Sequence, residues 1–146
     1  MWGGSFLCRL TTCQFAIDDN EAMRLGSHDI IAFIYTCDRM RAKAFYGDSL
    51  GLTLLSEDAF AMAFDAHGIM LRIASVKALT ATSHTVLGWK VPDIAAAVKD
   101  LRAAGVEFQK YEGFGQDDLD IWNSPSGARV AWFKDPDGNM ISLTQF

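Results

Sequence analysis

The chain has 146 residues, half of them apolar, with a net charge of −5 and a pI near 5.0. Its longest apolar run falls far short of the roughly 18 residues of a membrane span, and no charged-then-apolar-then-small order marks a signal peptide. Lysines and arginines are scattered, which argues against nucleic acid or an anionic membrane as partner, and a cytoplasmic protein is expected.

Residues 1–27 carry no strong pattern. Cys8–Cys13 suits a strand, and Asp18–Leu25 a helix with an acidic first turn. Two readings stay open: Met23 begins the protein proper, or the segment docks on the domain or on a second subunit. The three cysteines, Cys8, Cys13 and Cys37, are too few and too irregular for a disulfide framework or a zinc site, and free thiols are expected.

From Ile30 the pattern sharpens. Ile30–Thr36 is β-rich and reads as a buried strand, Asp38 as the N-cap of a helix with Met40, Ala44, Phe45 and Leu50 on its apolar side, and Gly51 as its left-handed stop. Three strands follow at Thr53–Ser56, Phe60–Phe64 and Met70–Ala74, then a linker, Val76–Ser83. The order then repeats. Val86–Pro92 is a strand, Asp93 caps a helix with Ile94, Val98 and Leu101 inward and Gly105 at its end, and Val106–Tyr111 is the next strand. Glu112–Ser126 reads as a long irregular stretch. Ala128–Phe133 and Met140–Gln145 flank Asp135-Pro136-Asp137-Gly138, whose Pro and Gly sit where a type I turn wants them. Asp65-Ala66-His67-Gly68 is a weaker copy of that turn. The chain is therefore read as a repeat of strand, helix and three strands, with modules at about 28–79 and 83–146. Each is too small to bury a good core alone, so one shared core is expected.

Asp38 with Ala44-Phe45-Tyr46 and Leu50-Gly51-Leu52, Leu87-Gly88-Trp89-Lys90-Val91-Pro92-Asp93, and Phe133-Lys134-Asp135-Pro136-Asp137-Gly138-Asn139 together resemble the vicinal oxygen chelate superfamily. That group includes glyoxalase I, extradiol dioxygenases, fosfomycin-resistance enzymes and bleomycin-resistance proteins. The resemblance implies an α+β fold in which two βαβββ modules form a curved mixed sheet, an open cup with helices outside. It does not imply one reaction. It also implies a homodimer, since bleomycin-resistance proteins build their ligand sites across one.

Metal-dependent members of the superfamily place ligands on the first and last strands of each module. Counted from the capping Asp and the turn Gly, those positions are Ile31, Arg72, Val86 and Ser142 here. Ile and Val offer no lone pair and Arg72 brings a permanent positive charge, so neither a metal nor any other cofactor is expected. His84 is the only nearby donor; His28 precedes the first strand and His67 sits in a turn.

Strand alternation puts Ile31, Phe33, Tyr35, Met70, Arg72, His84, Val86 and Gly88 on the cup side. The resemblance adds Trp132, with Val130 beside it, and Met140, Ser142 and Thr144 come from the last strand. The ligand-binding candidates are Phe33, Tyr35, Arg72, His84, Trp132, Met140 and Ser142, with Gly88 leaving room. Arg72, His84 and Tyr35 are the weak catalytic candidates, Arg72 as electrophile and the other two as acid or base. Each has a plainer reading. The apolar strand residues are more often core, Trp132 either fills the cup or stacks on a ligand, and Asp117, Asp118 and Asp120 read as solvated loop carboxylates. Arg72 is expected to be buried and therefore paired, by a protein carboxylate or by the ligand. Trp89 is expected to pack under a helix, and Tyr46 to pack on the sheet beside Phe45 at the end of the first helix.

The preferred function is a metal-independent binding protein that holds a small aromatic or amphipathic ligand in the cup. The alternative is an enzyme of the superfamily (lyase, isomerase or dioxygenase-like) using metal-free acid–base chemistry or a displaced metal site. A third reading is a module that has lost its ligand and serves assembly.

Overall fold

The computed structural model describes residues 24–146, so the strand expected at Cys8–Cys13 and most of the helix expected at Asp18–Leu25 lie outside the described residues. A short 3-10 turn at Leu25–Ser27 leads into the first module. Its elements are β1 (Ile31–Thr36), α1 (Arg39–Lys43, continued by a π-helical turn Ala44–Ser49), β2 (Thr53–Glu57), β3 (Ala61–Ala66) and β4 (Ile69–Ser75). The second module has β5 (Thr85–Lys90), α2 (Ile94–Ala103), β6 (Trp122–Asn123), β7 (Arg129–Lys134) and β8 (Met140–Gln145). The architecture is the expected α+β repeat, built as two four-stranded mixed sheets ordered β1-β4-β3-β2 and β5-β8-β7-β6. In each sheet the first strand runs parallel to the last and the others are antiparallel.

The helix boundaries follow the expected caps. Asp38 accepts from the Arg41 N–H at 3.1 Å and Asp93 from the Ala96 N–H at 3.0 Å, satisfying donors the first helical turn leaves free. Gly51 and Gly105 stop the helices with φ of 73° and 89°, a conformation only glycine adopts without a Cβ clash. The two hairpin turns differ more than their sequences suggest. Ala66 pairs with Ile69 and both His67 and Gly68 have positive φ, so the first is a two-residue loop of the kind that matches strand twist. Lys134 pairs with Met140, leaving a longer turn between β7 and β8.

One core serves both modules. Ile34, Tyr46, Met62, Phe64, Leu71 and Ile73 from the first and Ile94, Val98, Ile121, Phe133, Ile141 and Leu143 from the second form a single buried cluster. Phe45 bridges it, 5.2 Å from the Tyr46 ring and 6.3 Å from Phe133 between ring centroids. Trp89 packs against this cluster, as its strand parity requires.

A polar clamp fixes the modules to each other. The buried Asp135 carboxylate accepts from the Tyr46 hydroxyl at 2.7 Å and the Asn139 amide at 2.8 Å. It also accepts the backbone N–H groups of Asp137 and Asn139 at 3.0 and 2.9 Å. Asn139 also donates to the Tyr35 carbonyl, and Asp137 accepts from the Thr36 hydroxyl and the Cys37 N–H at the end of β1. The Asp135–Gly138 turn is thus structural: with four donors on Asp135, its buried charge is fully hydrogen-bonded. Burial, reinforced by the neighbouring carboxylate, pushes the Tyr46 hydroxyl well above the ordinary tyrosine range.

Candidate functional site

Each sheet packs one face on the core and leaves the other open. On β1 and β4 the alternation is regular: Ile34, Thr36, Leu71 and Ile73 point inward, while Ile31, Phe33 and Tyr35 are 48%, 53% and 47% exposed and Met70 lies beside them. The candidates Phe33 and Tyr35 therefore stand on an open apolar face. Arg72 lies on the same face between Phe33 and Ala63, but it is not buried. Its side chain is 38% exposed and its guanidinium is 3.6 Å from the Asp58 carboxylate, so solvent rather than an obligatory partner can carry its charge. Asp58 in turn is held below the ordinary carboxylate range, first by the N–H groups of Phe60 and Ala61 and then by Arg72 and Arg39.

The second sheet departs from simple alternation twice. The pairing of β5 with β8 slips between Thr85 and Leu87, and this bulge reverses which side chains point outward before it. Ser83 and Thr85, rather than His84, line the cavity described below, and His84 is exposed. Beyond the bulge Gly88 pairs with Ser142, and a Cβ on Gly88 would stand 2.7 Å from the Ser142 hydroxyl. Gly88 is exposed, and the absence of a side chain there leaves the Ser142 hydroxyl unobstructed by a Cβ.

The other departure is at the edge of sheet two. Val106–Tyr111 does not form the expected strand: Phe108 makes a single bridge to Phe133, and Gln109 donates to the Trp132 carbonyl at 2.7 Å. The chain then leaves the edge, and β6 takes up pairing with Val130 and Arg129 inside the stretch read as irregular. The edge strand is split, and Lys110–Ile121 is an excursion between its halves. The Gln116 side chain staples that excursion, accepting from the Tyr111 N–H at 2.6 Å and donating to the Gln109 and Asp120 carbonyls at 2.9 and 2.7 Å. Asp117 caps the Leu119 and Ile121 N–H groups, and Asp120 pairs with Arg102 at 2.6 Å. Two of the three aspartates expected to be merely solvated hold the loop in place.

The excursion brings Tyr111 and Phe114 back over Trp132. Ring centroids are 5.8 Å apart for Tyr111–Trp132, 5.9 Å for Phe114–Trp132 and 5.6 Å for Tyr111–Phe114, with Trp122 5.9 Å from Trp132 and 5.4 Å from Phe114. Tyr111, Phe114 and Trp132 line a cavity of about 220 Å³ with Met140, Ser83 and Thr85. The Tyr111 hydroxyl lies 3.4 Å from the Met140 sulfur, a weak acceptor, and burial raises its pKa. A larger groove of about 450 Å³, lined by Met40, Lys43, Gly47, Asp48, Leu54 and Phe64 among others, is more open to solvent and lies beside the π-helical turn. Trp132 and Met140 were candidates from sequence; Tyr111 and Phe114 were not. The available signal was an aromatic on each side of Gly113 in a long loop.

The residues at the superfamily's metal positions do not fit a metal. Ile31 pairs with Met70, Arg72 sits beside Asp58, Val86 falls in the bulge and Ser142 supplies one hydroxyl beneath Gly88, which gives no convergent set of imidazoles or carboxylates. Among the described residues no group of three or more His, Cys, Asp or Glu is arranged to hold an ion. No helix described is long and apolar enough to cross a membrane.

The fold recurs in solved structures at low identity. A glyoxalase/bleomycin resistance protein/dioxygenase from Nocardioides is 22% identical with a TM-score of 0.64, covering 82% of this chain and 83% of that one. The bleomycin resistance determinant encoded on transposon Tn5 is 20% identical with a TM-score of 0.65, covering 82% and 98%. A lactoylglutathione lyase from Agrobacterium tumefaciens is 17% identical with a TM-score of 0.60, covering 82% and 93%. These likenesses show the fold alone. A comparison with curated proteins gives no match. The family model for the Glyoxalase/Bleomycin resistance protein/Dioxygenase superfamily matches residues 28–143, and the chain belongs to that superfamily.

Proposed function

We propose that the protein binds a small organic molecule without a metal, on the open faces of its sheets and centred on the cavity beneath Tyr111, Phe114 and Trp132. The observation that carries this reading is the make-up of the two regions where a superfamily member would hold ligand or metal. One is walled by three aromatic rings, a thioether and two hydroxyls, the usual mixture of apolar surface with a few polar groups. The other offers Ile31, Arg72, Val86 and Ser142 in place of metal ligands. Arg72, half-exposed on the first face, is the anchor for an anionic group of the ligand; Phe33, Tyr35 and Ser142 complete the proposed contacts, and His84 enters only if the β5 bulge rearranges.

A homodimer goes with this reading. The open face of sheet one carries Ile31, Phe33, Tyr35 and Met70, and a second copy is the proposed cover. The enzyme alternative draws on the same superfamily, which includes a lyase among its structural neighbours. It needs titratable groups that converge, and His84 is not among the residues lining the cavity beside Tyr111.

Fragment screening by tryptophan fluorescence and indole N–H chemical shifts tests the proposal. Saturable shifts at Trp132 and Trp122 that persist in chelator are expected. Ligands that perturb only Trp89, or binding that requires added metal, would overturn it.

A further inference from the structure

The cavity in sheet two has a shape as well as a composition. Tyr111 and Phe114 stand at 83° and 82° to the Trp132 indole and are inclined 50° to each other. The indole and two rings nearly perpendicular to it form a corner, not a slot. Two parallel rings would sandwich a flat aromatic ligand; three mutually inclined rings suit a compact group that meets several π surfaces at once. Their centroids form a nearly equilateral triangle with sides of 5.6 to 5.9 Å, so one atom seated close above it lies within roughly 6 Å of all three centroids.

Charge points the same way. The other lining residues are Met140, whose sulfur is polarizable, and Ser83 and Thr85, whose hydroxyl oxygens carry partial negative charge; no lining residue is charged. Lys134, the cross-strand partner of Met140, is exposed and does not line the cavity. The excursion that carries Phe114 also carries Glu112, Asp117, Asp118 and Asp120 against the single cation Lys110, in a chain of net charge −5, which favours approach of a cation over an anion. At about 220 Å³ the space is below the roughly 300 Å³ of a drug-sized site and suits a head group.

We infer that this aromatic corner binds a compact organic ammonium, such as a trimethylammonium head, on the ligand or as the ligand. The inference rests on the proposed small-molecule site and specifies its chemistry. Phe114 is the selectivity residue, because it closes the corner while remaining partly exposed between Gly113 and Gly115, both at positive φ.

The test is titration of the full chain with choline and with dimethylbutanol, its uncharged carbon isostere, read at the indole N–H resonances of Trp122 and Trp132. Choline is expected to bind at least about tenfold more tightly, the factor that about 1.4 kcal/mol of cation–π attraction produces. Phe114→Leu, which keeps apolar bulk but removes the ring, should erase most of that preference with little change for dimethylbutanol. Phe114→Tyr should retain it. Equal affinity for the two probes, or a preference unaltered by Phe114→Leu in a variant whose remaining resonances are native, would overturn the ammonium reading while leaving a small-molecule site. Silence from both probes, and from a wider fragment set, would overturn the site as well.

Discussion

The two sheets are built from one repeated pattern, yet their open faces differ. On sheet one the edge strand β2 is continuous apart from one bulge, and on the open face Ile31, Phe33 and Tyr35 stand in solvent with Arg72 beside them. On sheet two the equivalent edge is broken, and the excursion between its halves folds Tyr111 and Phe114 onto Trp132. The face closed by its own loop holds a cavity within one chain, and the face left open is the one for which a second copy is the proposed cover. The lesson is that the repeat fixes the scaffold and the split edge strand differentiates the halves.

The comparison is meaningful only if the halves are locked together, so the largest expected effect is at the clamp. Asp135→Ala removes four hydrogen bonds from the buried Tyr46, Asn139 and turn N–H groups, and urea unfolding should show a loss of about 3–5 kcal/mol. A loss below about 1 kcal/mol would mean that the turn does not couple the modules.

Truncation on each face then sharpens the contrast. Trp132→Ala removes the centre of the aromatic cluster and should cost about 2–3 kcal/mol, while Phe33→Ala should stay within about 0.5 kcal/mol in dilute protein. Phe33→Lys should instead shift the sedimentation of the proposed dimer toward monomer. Equal unfolding costs for the two alanine variants in dilute protein would erase the distinction between the faces.

Tyr46→Phe should cost about 1–2 kcal/mol near neutrality, with a pH signature. Because the folded state raises the Tyr46 pKa above the unfolded value of 10.0, its contribution is complete below that pH. As pH rises past that value the unfolded chain loses a proton that the folded chain keeps, and stability falls. The wild-type unfolding midpoint should therefore drop more steeply above about pH 10 than that of Tyr46→Phe; parallel curves would show that the hydroxyl is not held neutral. Gly88→Ala should cost about 1 kcal/mol through its clash with Ser142 and regain most of it in combination with Ser142→Ala. Smallest is Arg72→Gln, within about 0.5 kcal/mol for stability. Unchanged affinity for an anionic ligand in that variant would remove Arg72 as an anchor.

Much of this fold is legible in the residues. Asp38 and Asp93, with Gly51 and Gly105, mark both helices because capping and left-handed stops are local chemistry. Parity on β1 and β4 follows from an unbroken ladder. The site was less legible where the backbone is irregular. A bulge at Thr85–Leu87 depends on how β5 meets β8, and the cavity is lined by Thr85 rather than by His84, whose residue type suggested a donor. The return of Tyr111 and Phe114 depends on the Gln116 staple across a loop, a contact with no periodic signature. Arg72 stays partly exposed beside Asp58 of the β2–β3 turn, which strand alternation cannot reveal.

Metal-independent binding is tested most directly by the metal content of the purified, untagged protein, never exposed to chelator, measured by elemental mass spectrometry against protein concentration. With Ile31, Arg72, Val86 and Ser142 at the metal positions, iron, zinc, manganese and nickel should all fall far below one equivalent and should not rise on titration. Near-stoichiometric content of any of them would contradict that reading and direct attention to lyase and dioxygenase chemistry.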